Sequence, residues 1–319
     1  MKLQTALLLA NLQPLQAAMF ALPLRILTHN IRYATTSPFK GEELWQPLRA
    51  PRLINELRFN LRPSPNGFIC LQEVLHDQLM DILTGLNGNE TDSALFTPPH
   101  HYQEPLGSSQ VPEWAYIGVG RDDGKTAGEY APILYRPSIW KLLEFKTIWL
   151  SETPDVPSKG WDAASFRILT IGVFEHIATG QQVTAMNTHY DDQGSIARYQ
   201  SSLLILREVT RWKYQYPSSP IFLAGDFNSE RWDEPIEVID RNRIVLKFAG
   251  APWGQEYGDN NTFTGFGFDE PKKIDWIFLS YQSWEVDTYA VLPNVFEDGV
   301  YLSDHRAIVT DVHINGLVR

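Results

Sequence analysis

Apolar residues recur along this chain with two spacings, and the switch between them predicts its elements. Short runs rich in β-branched and aromatic residues, bounded by Gly, Pro or Asp, read as strands. They are "LRILTH" (24–29), "GFICL" (67–71), "APILYR" (131–136), "FRILTIGVF" (166–174), "QVTAMNT" (182–188), "PIFLAG" (220–225), "IDWIFLS" (274–280) and "HRAIVTDV" (305–312). Three- and four-residue spacing takes over in "SIARYQSSLLILREVTRW". There Ile196, Tyr199, Leu203, Leu206 and Val209 form one stripe, and Arg198, Arg207 and Glu208 fall elsewhere. A second helix follows Glu73, with Leu79, Ile82, Leu83 and Leu86 on one side, and a third begins near Pro51, which suits a first helical position. Strands and helices interspersed without a break in composition predict one α/β domain over residues 22–319.

Composition narrows the function more than the fold. With 319 residues, 43% of them hydrophobic, the chain has material for a large core. Its 38 acids outnumber 27 Lys plus Arg, a net charge of −11, which speaks against a non-specific nucleic-acid binder. A bound metal could still supply positive charge locally. The one cysteine, Cys70, excludes an intramolecular disulfide and a zinc–thiolate cluster, and reads as a small core residue. Residues 1–21 have one lysine, an apolar run and then small residues, the layout of a secretory signal peptide, so secretion is expected. Asn11, Gln13 and Gln16 interrupt the run, and an amphipathic N-terminal element is the alternative. Sequons at Asn89-Glu90-Thr91 and Asn260-Asn261-Thr262 are compatible with export. No later stretch is apolar and long enough to span a bilayer, and a monomer is expected.

Candidate chemistry sits at the strand ends. "LTHN" ends in Asn30 and "ICLQE" in Gln72 and Glu73. "AMNTH" ends in Asn187 and His189, and "LAGDFN" in Asp226 and Asn228. "KIDWIF" opens with Asp275, and "LSDH" places Asp304 and His305 before a strand. Each has a bland reading: Asn30 as a turn residue, Glu73 as a first-turn helix acid, Asp275 as a strand-edge charge, the histidines as hydrogen-bonded core groups. In "LAGDFNSE" (223–230), Gly225 and Ser229 suit a turn, while Asp226 and Asn228 share one side of the chain. Six strands with acid, amide or imidazole at one extremity are poorly explained by six separate accidents, because α/β proteins build sites at strand tips.

"THNIR", "LQEV", "NTHY", "GDFN", "KIDWIF" and "LSDH", in this order, resemble the endonuclease/exonuclease/phosphatase superfamily over about residues 24–313. "GRDDGKTAGEYAPILYR" and "LSETPDVPSKGWDAASFR" resemble a microbial, secreted subgroup of it. The resemblance implies a four-layer α/β-sandwich, two mixed β-sheets packed face to face with helices outside. It also implies that Asn30 and Glu73 hold a metal with help from Asp304, and that Asp226 and Asn228 orient the attacking water and touch the phosphate. His189 matches a phosphate-binding or acid histidine, Glu129 a carboxylate that pairs with it, and His305 with Asp275 an acid–base dyad. The subgroup often carries Leu and a second His where Tyr190 and Asp192 stand here.

Oxygen donors without cysteine or a histidine cluster independently favour Mg²⁺ or Mn²⁺. Phosphoester hydrolysis needs an aligned water and neutralised phosphoryl oxygens, which these residue types supply. No Gly-rich phosphate loop and no G-x-S-x-G elbow is present. Arg167 is a candidate arginine fork, and Tyr190 and Asn187 are candidate substrate contacts. Trp161, Trp253 and Phe266 form a stacking wall or pack under loops. The reading is a metal-dependent phosphodiesterase for a small, glycan-linked or lipid-linked phosphate. A secreted nuclease, a non-catalytic binding protein on the same fold and a two-carboxylate glycosidase are the alternatives.

Overall fold

The computed structural model describes residues 21–88, 111–250 and 256–314. The leader up to residue 20, the Asn89 sequon and Trp253 lie outside them. Two mixed sheets face each other. The first has β1 (Leu22–Asn30), β2 (Phe68–Gln72), β3 (Ala115–Ile117), β4 (Ile133–Tyr135), β10 (Glu256–Gly258), β12 (Trp284–Val291) and β13 (Ile308–Ile314). Its order is β10-β12-β13-β1-β2-β4-β3. The second has β5 (Trp140–Trp149), β6 (Ile168–His176), β7 (Gln182–His189), β8 (Ile221–Asp226), β9 (Leu246–Phe248) and β11 (Asp275–Ser280), in the order β5-β6-β7-β8-β11-β9. The helices are α1 (Ala50–Leu61), α2 (His76–Asn87), α3 (Ser195–Gln215) and α4 (Glu234–Arg241).

The alternation of strand side chains makes the four layers. In β1 and β2, Leu24, Ile26, Phe68 and Cys70 enter the core between the sheets, while Leu27, Ile69 and Leu71 pack with Leu53, Leu57, Leu79 and Leu83 of α1 and α2. In β8, Phe222 and Ala224 face the first sheet, whereas Ile221 and Leu223 pack with Ile205 and Val209 of α3. Phe68 sits at the centre of the inter-sheet core, with its ring 5.0 Å from Phe174 and 5.6 Å from Phe222. Cys70 is a buried core residue, as its composition predicts.

The α3 stripe is rotated from the predicted one. Ile196 is exposed, and the face against the sheet runs through Ala197, Ser201, Ser202, Ile205, Val209 and Trp212. Small residues let α3 approach closely enough for Ser202 Oγ to donate to the Pro235 carbonyl and lie 3.0 Å from the Tyr190 hydroxyl. Strands β3, β5, β9, β10 and β12 and helix α4 are additional to the predicted set. Register irregularities at Leu142/Glu144 and Val286/Thr288 break the period of β5 and β12.

Two expected substrate contacts are structural. Tyr190 is fully buried, its ring packed 4.8 Å from Phe227. Asn187 is also fully buried and ties the sheets together. Its Nδ2 donates to the Leu71 and Pro132 carbonyls at 2.8 and 2.9 Å, and its Oδ1 accepts from Gln72 Nε2 at 2.7 Å. The side chain lies on the inter-sheet face like that of His189, but one pleat deeper.

Asn187→Ala removes three buried hydrogen bonds, although the Pro132 carbonyl keeps the Leu71 N–H at 3.2 Å and the Gln72 amide keeps Thr28 Oγ1 at 3.0 Å, so urea unfolding is expected to show a loss of about 1–3 kcal/mol. A variant of wild-type stability with raised substrate KM would instead return Asn187 to the substrate.

Candidate active site

The same alternation carries polar groups to one end of the inter-sheet face. Continuing from Ile26 to Asn30, from Ala185 to His189, from Ala224 to Asp226 and from Ile277 back to Asp275, each side chain lies on the side facing the other sheet. Parallel pairing of β1 with β2 and of β7 with β8 keeps their C-terminal ends together. Antiparallel β11 brings its first residue, Asp275, into register with Asp226. Gly225 makes the β7–β8 approach possible. It lies inside β8 and not in a turn, with φ 151°, and a Cβ there would meet the Thr188 carbonyl oxygen at 2.1 Å. Glu73 and Asn228, just past their strands, have φ of 58° and 46°, a left-handed backbone that asparagine tolerates and glutamate adopts with strain.

Asn30 joins the two sheets at this end. Its Nδ2 donates to Glu73 Oε1 at 3.0 Å and to Asp226 Oδ2 at 2.9 Å, and its Oδ1 accepts from the Arg32 backbone. Arg49 is fully buried behind this loop and donates to the carbonyls of Ile31, Arg32 and Leu302, holding the segments after Asn30 and before Asp304 in place. His305 Nδ1 lies 2.8 Å from Asp275 Oδ2, and its Nε2 lies 3.7 Å from Asp226 Oδ2. Asn228 Nδ2 donates to the Tyr190 carbonyl at 3.0 Å and lies 3.2 Å from His189 Nε2. The carbonyl can only accept, so the amide end of Asn228 is fixed and His189 Nε2 meets it as an acceptor.

The two histidines are driven to opposite charge states. Burial lowers the pKa of His189 well below its usual value, and the Arg167 and Arg121 charges lower it further. Burial also opposes charge on His305, but the Asp275 and Asp226 carboxylates outweigh it and raise its pKa to about 10. Asp226 is raised to about 7 by burial and by neighbouring Asp275. A neutral and a charged imidazole in one cleft are an acceptor and a donor of protons.

The cleft has a volume of about 820 Å³, and Glu73, Glu129, Arg167, His189, Asp226, Asn228, Asp304 and His305 line it. Asn30 and Asp275 lie beneath, and Tyr190 and Asn187 do not reach it. Glu129 is placed differently from the expected pair. Both its oxygens are held at 2.8 Å by the Arg121 fork, and its approach to His189 Nδ1 is 3.9 Å, too long for a hydrogen bond. Arg121, Arg32, Tyr33, Phe39, Phe263 and Lys272 also line the cleft without having been singled out from the sequence. The Gly-flanked "GRDDG" segment was the available signal for Arg121. Phe266 is buried against Tyr301 and Trp161 lies outside the cleft, so neither forms a stacking wall there.

The donor set fits a hard divalent cation. Glu73 and Asp304 line the same cleft, and burial together with Glu73 raises the Asp304 carboxyl, a repulsion that a cation between them relieves. Oxygen or nitrogen atoms of Asp226, Asp275 and His305 also lie within 4.8 Å of one another. That trio is accounted for by the short His305–Asp275 bond, so the Glu73 side is the better match for a cation.

The Endonuclease/Exonuclease/phosphatase family model matches residues 27–305. A Bacteroides vulgatus endonuclease/exonuclease/phosphatase structure is 34% identical, with TM-score 0.75, covering 92% of this chain and 99% of that one. A mannosyl-6-phosphatase from Bacteroides thetaiotaomicron is 29% identical, with TM-score 0.73, covering 91% and 99%. A probable RNA exonuclease of Schizosaccharomyces pombe is 25% identical over 250 residues, 74% of this chain and 44% of that one. The chain spans about half the length of the curated relatives it matches.

In EDTA-treated protein, the His305 ring is expected to remain charged through neutral pH and to lose its proton near pH 10. Asp275→Asn removes the largest charge that raises it, so the midpoint of an imidazole NMR titration moves to lower pH. An unmoved midpoint would show that Asp275 does not hold that proton.

Proposed function

We propose, from the premise that the chain belongs to the endonuclease/exonuclease/phosphatase family, whose members hydrolyse phosphoesters, that it hydrolyses a small, sugar-linked phosphate with Mg²⁺ or Mn²⁺ bound. The observation that carries this reading is the convergence of Asn30, Glu73, His189, Asp226, Asn228 and the His305–Asp275 dyad on one end of the two sheets. When bound, the cation would supply Lewis acidity at the phosphoryl oxygens, with Glu73 and Asp304 as the residues that would hold it and the Asn30 amide bracing Glu73.

The chain's own groups account for the remainder. Asn228, pinned to the Tyr190 carbonyl, fixes neutral His189 with Nε2 as an acceptor, which suits that ring to take up a proton. Asp226 lies between the Asn30 amide and the two imidazoles, placed to orient a water. His305 holds a proton at Nε2 while Asp275 fixes its ring through Nδ1, so it is suited to protonate a departing alkoxide.

The similarity to a mannosyl-6-phosphatase supports a sugar-linked substrate. The RNA exonuclease among the relatives supports a nuclease instead. Charge favours the former: seven carboxylates and five Arg or Lys side chains line the cleft, within a chain of net charge −11. A polyanion would release counterions on binding, so nuclease activity would fall steeply with salt, whereas turnover of a small sugar phosphate would change little.

With Mg²⁺ or Mn²⁺ supplied, a panel of sugar phosphates, phosphodiesters, phospholipids and nucleic acids should reveal hydrolysis that EDTA abolishes. Asp226→Ala or His305→Ala is expected to lower kcat by about 10²–10⁴-fold. Loss of the fold in these variants, or activity indifferent to them, would defeat the assignment.

A further inference from the structure

One wall of the cleft has chemistry that the hydrolytic groups leave unused. Arg167 immediately precedes β6, the strand beside β7 and therefore next to His189. Its side chain is only 6% exposed, yet it lines the cleft. One side of the guanidinium is anchored to a buried carboxylate: Nε donates to Asp191 Oδ2 at 3.3 Å. Asp191 is itself fixed by backbone N–H groups of Ala164, Ser165, Gln193 and Gly194 at 2.8–3.1 Å. The other side is different. Nη2 donates at 2.7 Å to Asp192, whose carboxylate is 52% exposed and, among the described residues, otherwise meets only the Gln193 side-chain amide at 3.5 Å. Nη1 has no hydrogen-bond partner among the described residues.

A rigidly held guanidinium whose outer partner is a loose, solvated carboxylate is an anion site occupied by the chain's own anion. Arg121, gripped by Glu129, adds a second cation on this wall, and both charges reach His189. Among the described residues, no aromatic ring lines this side. Tyr33 and Phe39 follow β1, and Phe263 bridges to His305, so the apolar surface lies across the cleft. An alcohol group is therefore better accommodated on the aromatic side, with the unesterified oxygens toward the guanidinium groups. A diester has two such oxygens; a monoester has a third and a second negative charge.

We propose that Arg167 recognises the doubly charged phosphate of a phosphomonoester, and that Asp192 occupies this position in the free protein as an internal substitute anion. The proposal rests on the phosphoester-hydrolase reading of the same cleft. It places a monoester ahead of the diester expected from the motifs. It also gives a consequence to Asp192, which stands where the subgroup often has histidine: the carboxylate must leave the guanidinium before the substrate's phosphate can bind.

The test uses the full chain with Asp192→Asn, Arg167→Gln and Arg167→Lys. It reads calorimetric binding of inorganic phosphate, and kcat/KM on a hexose 6-phosphate and its methyl diester. Asp192→Asn should tighten phosphate binding several-fold and raise the monoester-to-diester preference. Arg167→Gln should weaken binding and lower that preference by about tenfold or more, with Lys between. Because Asp192 is half exposed, its variant decides the matter even if Arg167→Gln unfolds. If Asp192→Asn weakens phosphate binding or leaves it unchanged, the substitute-anion proposal is overturned. If phosphate binding responds as expected but wild-type protein cleaves neither ester, the anion site stands and the hydrolase reading falls.

Discussion

Every part of this site depends on the constraint that two sheets packed face to face share one interior, and that alternate side chains of each strand must enter it. Along most of β1, β2, β7, β8 and β11 those positions are apolar and make the central core. At one end the alternation continues while the residue types change. Asn30, Gln72, Asn187, His189, Asp226 and Asp275 then stand where core residues would otherwise be. The cleft is thus the polar end of the core, built on ladders that cannot shift by one residue without turning every apolar side chain the wrong way.

Burying so many polar groups is tolerable largely because they bond to one another, with Gln72 Oε1, His189 Nδ1 and Asp275 Oδ1 left over among the described residues. The deeper amides, Gln72 and Asn187, bond across the sheets and to backbone carbonyls, leaving no donor for a ligand. One pleat further out, Asn30 bonds to Glu73 and Asp226, and His305 to Asp275, but the carboxylates there outnumber their cations. Residual negative charge at this level fits a cation, whereas on the opposite wall Arg121 and Arg167 are neutralised by Glu129, Asp191 and Asp192, of which Asp192 alone is solvated.

Much of this was legible in the sequence because strand tips carry their chemistry locally. Asn30, Glu73, His189, Asp226, Asn228, Asp304 and His305 each follow or precede a recognisable apolar run, and the structure brings them to one cleft or, for Asn30, directly beneath it. The misplacements share one cause. Asn187 and Tyr190 flank the His189 motif in sequence, but neighbours on a strand differ in depth or face, and inter-sheet packing decides which reaches solvent. Glu129 pairs with Arg121 and not with His189, because a hairpin-like loop returns Glu129 beside Arg121, eight residues away in the chain. Arg32, Tyr33 and Phe39 enter the cleft from a loop, where no periodicity announces direction.

The sequence by itself determined the elements, their apolar faces and the residue types at their tips, because alternation and helical spacing are local properties of the chain. It also determined the family, since six short motifs recur in a fixed order. Only the tertiary structure decided which tips converge, which amides became struts and which guanidinium kept an exchangeable partner. Those outcomes depend on strand order, on the approach of β7 to β8 at Gly225 and on charge balance among residues far apart in the chain. Such contacts exist only once both sheets are packed.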